Sequence, residues 1–197
     1  MSGFLFISPN ERGVPRIIAV VSQAIQNAVP SQHQVTDLHH KAATRPAVDA
    51  AIAQADFVFY FGHGQVDYLG KSGTRLADAQ NLRPTQVVVA IACDSGGGLG
   101  PAVFNAWASG AFLGFDVPLG HPTRHPSRAN QAYENSLAKF VSSGTVSDLE
   151  NDLKAELLDA ANDYLGRGTM DDFFAFAALR SNMVGLKVSG NRNAFIS

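Results

Sequence analysis

A chain of 197 residues that is 46% apolar, has a formal net charge of −2 and contains one cysteine excludes several protein classes. Its length and apolar content suit one large domain with a well-filled core, and they argue against intrinsic disorder. Charged residues make up only 16% of the chain, which favours an α/β protein whose strands are buried on both faces. The small negative charge gives no sign of binding to nucleic acid or to an anionic membrane surface.

The first 115 residues alternate short apolar runs with helical patterns. The apolar runs predict strands over 4–8, 34–38, 57–61, 86–92 and 111–115. The segments between them predict helices over 14–28, 46–54, 76–82 and 101–108, with a polar loop or hairpin at 65–75. On the last of these helices, Trp107 shares a face with Val103 and Phe104 and is expected in the core. This alternation predicts a mostly parallel sheet with right-handed crossovers.

Beyond residue 125 the pattern becomes mainly helical. Helices are predicted over 127–141, over 147–165 and from 169 or 171 to 183, followed by a short strand at 184–188 and a frayed tail from 189. Ser147 and Glu150 have the spacing of a capping box at the start of the second helix. We therefore interpret residues 1–197 as one domain, with a sheet core over 1–125 and a mainly helical completion over 126–197.

Reactive side chains follow two of the predicted strands directly. The run 57–61 continues into Gly62-His63-Gly64, and the run 86–92 continues into Cys93-Asp94-Ser95-Gly96. Ligands of open α/β sheets bind in the crevice beyond the carboxyl ends of the strands. His63 and Cys93 are thus a candidate imidazole–thiolate pair on consecutive parallel strands.

The pair has the parts that a cysteine peptidase needs. Cys93 would attack a carbonyl carbon, and His63 would act first as general base and then as the acid that protonates the leaving amine. The backbone N–H groups of Gly64 and Cys93 are expected to point into the same crevice and to form an oxyanion hole. Gly64 has no side chain to block a close substrate carbonyl. This chemistry needs no cofactor and no metal.

The two motifs, in this order and at these strand ends, resemble the caspase-like (clan CD) cysteine peptidases. The likeness is greatest to the CHAT branch, the bacterial relatives of separase and caspase, and it covers about residues 1–125. It implies a caspase-like α/β sandwich with a mainly parallel sheet of about six strands and helices on both faces. It also implies an endopeptidase with Cys93 and His63 as its dyad, and a substrate cleft shaped by Ile91, Asp94 and Ser95.

The resemblance includes one departure that bears on specificity. Family members that cut after Arg or Lys have an acidic residue two positions before the cysteine, where this chain has Ile91. A desolvated cationic side chain needs a carboxylate partner, so we expect an apolar or small residue before the cut. The implied partners are a protein or peptide substrate and a separate sensor or effector protein, in a bacterial defence or cell-death system.

A single thiol, the lack of a basic and apolar leader and the absence of long apolar runs favour a cytoplasmic protein without membrane association. Two other motifs fail as sites. Gly70-Lys71-Ser72 has Gln65 where a phosphate-binding loop needs glycine. His121 and His125 are each followed by proline, which disfavours a helical metal site, so both are expected to be solvated loop residues.

Two alternative functions remain open at this stage. A caspase-like module that binds a partner without catalysis would keep the fold but bury Cys93 or turn it away from His63. A small-molecule thiol hydrolase or transferase on a flavodoxin-like sheet would enclose Cys93 in a pocket instead of an open groove.

Overall fold

The computed structural model of the chain describes residues 1–9 and 16–196. Its main sheet has six strands in the order β2-β1-β3-β7-β8-β9, and a second, three-stranded sheet is formed by β4, β5 and β6. The strands are β1 (Gly3–Ser8), β2 (Gln34–His39), β3 (Phe57–Phe61), β4 (Gly64–Gln65), β5 (Tyr68–Leu69), β6 (Ala77–Asp78), β7 (Val87–Ile91), β8 (Ala111–Phe115) and β9 (Leu186–Gly190). The helices are α1 (Arg16–Ala28), α2 (Arg45–Ile52), α3 (Leu99–Val103), α4 (Ser127–Ser142), α5 (Val146–Arg167) and α6 (Met170–Gly185).

The main sheet is parallel except at one edge. β1 pairs with β2 and β3, β3 with β7, and β7 with β8, all in parallel, while β9 runs antiparallel to β8. Every residue of β3, β7 and β8 is buried, as expected for strands covered on both faces. The predicted class, a mainly parallel sheet of about six strands with helices on both faces, is confirmed.

Side chains alternate between two cores along each central strand. Phe59 and Val89 lie in the larger core, which is completed by apolar residues of α1, α4, α5 and α6. Val58 and Val88 lie in the smaller core, together with Val48 and Ile52 of α2 and Leu99 of α3. The two-residue period of a strand produces this division, and it places the even-numbered and odd-numbered positions of β3 on opposite faces.

The segment 76–82 was predicted as a helix, and this is wrong. Leu76 donates its N–H to the Leu69 carbonyl at 2.9 Å, which extends the hairpin pairing of β5 with β6. The carboxylate of Asp78 then accepts the Gln80 N–H at 2.9 Å and closes a turn. Buried contacts of Leu76 and Ala77 and this local aspartate hydrogen bond outweigh the helical pattern. The region predicted as a loop or hairpin at 65–75 contains the β4–β5 hairpin.

Three further expectations need correction. α3 ends at Val103, before Trp107, whose side chain is 93% exposed instead of buried, because the Asn105 side chain accepts the Trp107 N–H in a turn. The capping box of α5 uses Thr145 and Asp148, two residues before the predicted pair. The last strand begins at Leu186 and pairs with β8 through Gly190, so the predicted fraying does not start at residue 189.

The remaining predicted helices agree with the structure to within a few residues, although the first two residues of the segment 14–28 lie outside the described residues. None of the helices that the structure describes is long and apolar enough to cross a membrane.

Candidate active site

His63 and Cys93 lie at equivalent positions on neighbouring parallel strands. The pairing of β3 with β7 ends at Phe61 opposite Ile91, and the Gly62 N–H donates to the Ile91 carbonyl at 3.3 Å. Each candidate residue follows its strand end by two positions. Both residues therefore lie at the carboxyl ends of neighbouring strands, on the same side of the sheet, and each is half-buried.

Gly64 packs its backbone directly against Cys93. A Cβ atom at this position would lie 2.3 Å from the Cys93 carbonyl oxygen and 2.9 Å from the Ala92 Cβ. Gly64 was expected to leave room for a substrate carbonyl, and the close approach of the two loops is a second reason for glycine at this position. Only glycine allows this separation without moving one of the backbones.

The Gly64 N–H also stays outside the hairpin ladder. Gly64 pairs with Leu69, and the Gly70 N–H donates to the His63 carbonyl at 2.8 Å. In an antiparallel hairpin this pattern makes Gly64–Leu69 a pair without mutual hydrogen bonds. The expected oxyanion donor on the His63 side is thus not used by its own hairpin.

The turn after Cys93 is bound to the end of β8. Asp94 has a positive φ of 54°, an uncommon conformation for a residue with a side chain. Its N–H donates to the Val117 carbonyl at 3.2 Å, and the Gly96 N–H donates to the Phe115 carbonyl at 2.8 Å. Strained backbone of this kind persists where the surroundings hold it, and it concentrates at functional sites.

The sulfur of Cys93 accepts a hydrogen bond from the loop that follows β8. The Leu119 N–H lies 3.2 Å from Sγ. Tyr133 of α4 is buried nearby: burial raises its pKa, the hydrogen bond from Asn182 opposes this, and the charge of Cys93 adds to the rise. Sequence reasoning missed Leu119 because the group that acts is a backbone N–H, which any residue except proline provides.

The three residues predicted to shape a substrate cleft differ in exposure. Ile91 is 3% exposed and belongs to the larger core. Ser95 is fully buried, and its hydroxyl donates to the Ala92 carbonyl at 3.5 Å. Asp94 is half-buried. The burial of Ile91 and Ser95 does not favour direct contact with a substrate, which leaves Asp94 as the member of this set best placed for it.

The acidic residues around the strand ends are largely paired with cations of the same chain. The three ion pairs are Asp67 with Arg75 at 2.9 Å, Asp78 with Arg45 at 2.7 Å, and Asp116 with Lys187 at 3.3 Å. A carboxylate that already has a cationic partner is less able to hold a second one.

His121 departs from the expected solvated loop histidine. Its Nε2 atom is buried, and burial lowers the pKa of the ring, with the Asn130 side chain acting in the opposite direction. The ring is therefore neutral near pH 7. Within the described ranges, no group of three or more His, Cys, Asp or Glu side chains is arranged to hold a metal ion.

The fold of the whole chain is similar to that of a solved structure. The chain is similar to the Arg-specific cysteine proteinase gingipain R, with a TM-score of 0.60 and 12% sequence identity. The superposition covers 98% of this chain and 47% of the other, so the chain spans about half the length of that proteinase. The likeness confirms the caspase-like fold. No known protein-family model matches the chain, and no curated protein matches it.

Proposed function

We propose that the protein is a cysteine endopeptidase of the caspase-like type, with Cys93 as nucleophile and His63 as general base. The observation that carries the proposal is that both residues follow the carboxyl ends of two neighbouring parallel strands, with the Gly64 backbone packed against the Cys93 backbone. The fold, shared with a cysteine proteinase, supports the same chemistry. The assignment to the CHAT branch, a cytoplasmic location and a role in bacterial defence stay predictions.

The reaction follows from the two side chains. His63 takes the proton of the Cys93 thiol, and Sγ forms a bond to the scissile carbonyl carbon. The N–H groups of Gly64 and Cys93 receive the oxyanion that develops on the carbonyl oxygen. The C–N bond then breaks, and the amine leaves with the proton held by His63. Water hydrolyses the thioester, which releases the acid and restores the thiol.

The substrate would be an extended peptide or protein segment with an uncharged residue before the cut. Ile91 stands where Arg- or Lys-specific family members have an acid, and it is buried in the core. Three nearby carboxylates are engaged in ion pairs of the chain, at Asp67, Asp78 and Asp116. An apolar or small side chain would enter this site without the desolvation cost of an unpaired cation.

Labelling with a peptidyl acyloxymethyl ketone library, followed by intact-mass measurement, tests the proposal. Since Cys93 is the only cysteine, one adduct on the native protein identifies the nucleophile. We expect labelling to disappear in Cys93→Ser and to fall about a hundredfold or more in His63→Ala. His125→Asn is the matched control, because His125 is exposed and its positive φ of 51° is a conformation that asparagine tolerates.

One observation favours a second candidate, the non-catalytic interaction module. Cys93 is half-buried and its sulfur already accepts the Leu119 N–H, which would suit a thiol that takes no part in catalysis. A native protein that reacts with no member of the library, and acquires a label only after unfolding, would support this candidate. Turnover of small thioesters or amides without cleavage of any peptide would instead favour the small-molecule thiol hydrolase.

A further inference from the structure

Asn182 is a fully buried amide on α6 whose hydrogen bonds go to a loop instead of to its own helix. Its Oδ1 accepts the Gly120 N–H at 3.0 Å, and its Nδ2 donates to the Gly120 carbonyl at 2.7 Å. Nδ2 also donates to the Tyr133 hydroxyl at 3.2 Å. Because Gly120 presents one donor and one acceptor, a neutral amide satisfies both in one orientation only.

Burying this amide is favourable only while its partners stay in place. A buried polar group that loses its hydrogen bonds is destabilising, and asparagine is a poor residue for a helix interior. The packing of α6 does not by itself call for a polar group at a fully buried position. The polar side chain at this position is therefore explained by what it does to the loop.

The loop concerned is the 116–120 segment, which lies along α6 between β8 and α4. At its start, the Asp116 N–H donates to the Gly185 carbonyl at 2.9 Å. At its end, Gly120 contacts the helix so closely that a Cβ would lie 2.5 Å from the Ala178 Cβ. The two hydrogen bonds between the Asn182 side chain and the Gly120 main chain hold the same end. Both ends of the segment are therefore attached to α6.

The residue next to this clamp supplies the hydrogen bond to the nucleophile. Leu119 directly precedes Gly120, and its N–H donates to the Cys93 Sγ at 3.2 Å. In the same segment, the Val117 carbonyl accepts the Asp94 N–H at 3.2 Å, which ties the segment to the turn after Cys93. The Leu119–Gly120 peptide held by Asn182 is joined to the peptide that carries the Leu119 N–H through the two dihedral angles of Leu119. Fixing Gly120 therefore limits the movement of this donor against the sulfur.

We propose that Asn182 is a positioning residue for the nucleophile: by holding both main-chain groups of Gly120, it keeps the Leu119 N–H directed at the Cys93 sulfur. A donor held in place stabilises negative charge on sulfur more than it stabilises a neutral thiol. The inference rests on the proposed function only in taking Cys93 as the nucleophile.

The rate of alkylation by iodoacetamide, measured across a range of pH on the full chain, tests this inference without any peptide substrate. Other titratable groups around Cys93 are His63 at the neighbouring strand end, Asp94 in the turn, and Tyr133 on α4. In Asn182→Leu we expect alkylation near pH 7 to be about tenfold slower and the pH profile to move to higher pH. Leu119→Pro removes the donor itself, and we expect the same loss.

Two controls separate positioning from general stability. Tyr133→Phe removes one acceptor of Asn182 but leaves both bonds to Gly120, so its alkylation rate should stay within about twofold of wild type. Leu153→Ala shortens a fully buried apolar side chain of α5 in the larger core, and should lower the melting temperature without moving the pH profile. When Leu119→Pro is already present, adding Asn182→Leu should slow alkylation little further, because both changes act on the same hydrogen bond, from the Leu119 N–H to the Cys93 sulfur.

Alkylation of folded Asn182→Leu at the wild-type rate, with an unchanged pH profile, would overturn the inference. An equal slowing in Leu153→Ala would reduce it to an effect of stability. If Asn182→Leu does not fold, Asn182→Ala replaces it, since the smaller apolar side chain removes both bonds to Gly120 without adding a charge near Cys93. Fast, Asn182-dependent alkylation without peptide cleavage would leave this inference standing and reject the endopeptidase.

Discussion

The two loops that flank the candidate dyad are held in place by different kinds of interaction. On the His63 side, the small sheet of β4, β5 and β6 is attached to α2 by Arg45, which binds Asp78 at 2.7 Å and Asp49 at 2.7 Å. On the Cys93 side, the 116–120 segment is attached to α6 by the neutral amide of Asn182. The first attachment depends on ionisation and is partly exposed, while the second is buried and has no charge to lose.

This difference predicts how the two sides respond to their surroundings. Charge-assisted bonds are strong, but they weaken when the carboxylate is protonated or the ions are screened. A buried amide keeps its hydrogen bonds at any pH at which the protein stays folded. The end of the segment next to the sulfur contact is thus held by bonds that do not titrate, which suits the proposed proton transfer between His63 and Cys93.

Gly64→Ala should have the largest effect, because it separates the two sides where they touch. The added Cβ would lie 2.3 Å from the Cys93 carbonyl oxygen, so one backbone must move. We expect a loss of about 1–3 kcal/mol in the free energy of unfolding and a roughly hundredfold slower labelling of Cys93. Gly166→Ala, where a Cβ meets nothing within 4 Å, is the control and should leave labelling unchanged. Wild-type labelling of a folded Gly64→Ala protein would show that the dyad tolerates movement of this contact.

Peptide-library profiling should show at least a tenfold preference for apolar or small residues over Arg and Lys before the cut. The reason is that Ile91, a buried apolar residue, stands where Arg- or Lys-specific family members have an acid, and the expected preference contrasts with the arginine specificity of gingipain R. Dominant cleavage after Arg or Lys, abolished by Asp67→Ala or Asp116→Ala, would show that one of these pairs opens to receive substrate.

Asp78→Asn should lower the free energy of unfolding by about 1–3 kcal/mol near pH 7. Burial alone would raise the pKa of Asp78, but the hydrogen bonds from Arg45 and the Gln80 N–H outweigh it and lower the pKa. Its stabilising contribution is therefore complete above the unfolded pKa of about 3.9 and is lost as the pH falls through the folded pKa. Urea unfolding at several pH values should show the difference from wild type shrinking in acid.

Asn182→Leu, unfolded in urea at the same pH values, tests the difference between the buried amide and the ion pair of Asp78. Its stability difference from wild type should stay constant over the pH range in which that of Asp78→Asn decreases, since no ionisation is involved. A parallel decrease for both variants would mean that the amide and the ion pair belong to one cooperative unit.

The smallest effect is expected for Lys187→Ala. Lys187 and Asp116 form an ion pair at 3.3 Å at the start of the 116–120 segment, and both side chains are substantially exposed. Such a pair contributes less than about 1 kcal/mol and is screened by salt. We expect no change in alkylation of Cys93, and a marked slowing would show that this pair, and not Asn182 alone, sets the position of the segment.

The local sequence determined where reactive groups meet the sheet. Phe57–Phe61 and the run before Cys93 are short, apolar and followed by glycines, so strand, strand end and reactive residue could be predicted from neighbouring positions alone. The carboxyl ends of parallel strands lie on the same side of a sheet, so the sequence alone predicts that His63 and Cys93 lie on one side.

Only the tertiary structure decided what surrounds the sulfur. The Leu119 N–H and the Asn182 amide follow Cys93 in the sequence by 26 and 89 positions. Neither a backbone donor nor a lone asparagine has a sequence signature. Nearer partners explain two other differences from the sequence predictions. Pairing with Leu69 prevailed over the helix predicted at 76–82, and a turn at Asn105 ended the helix before the exposed Trp107. Periodicity reports which face of an element is apolar, whereas the partner that each group finds depends on how the elements pack.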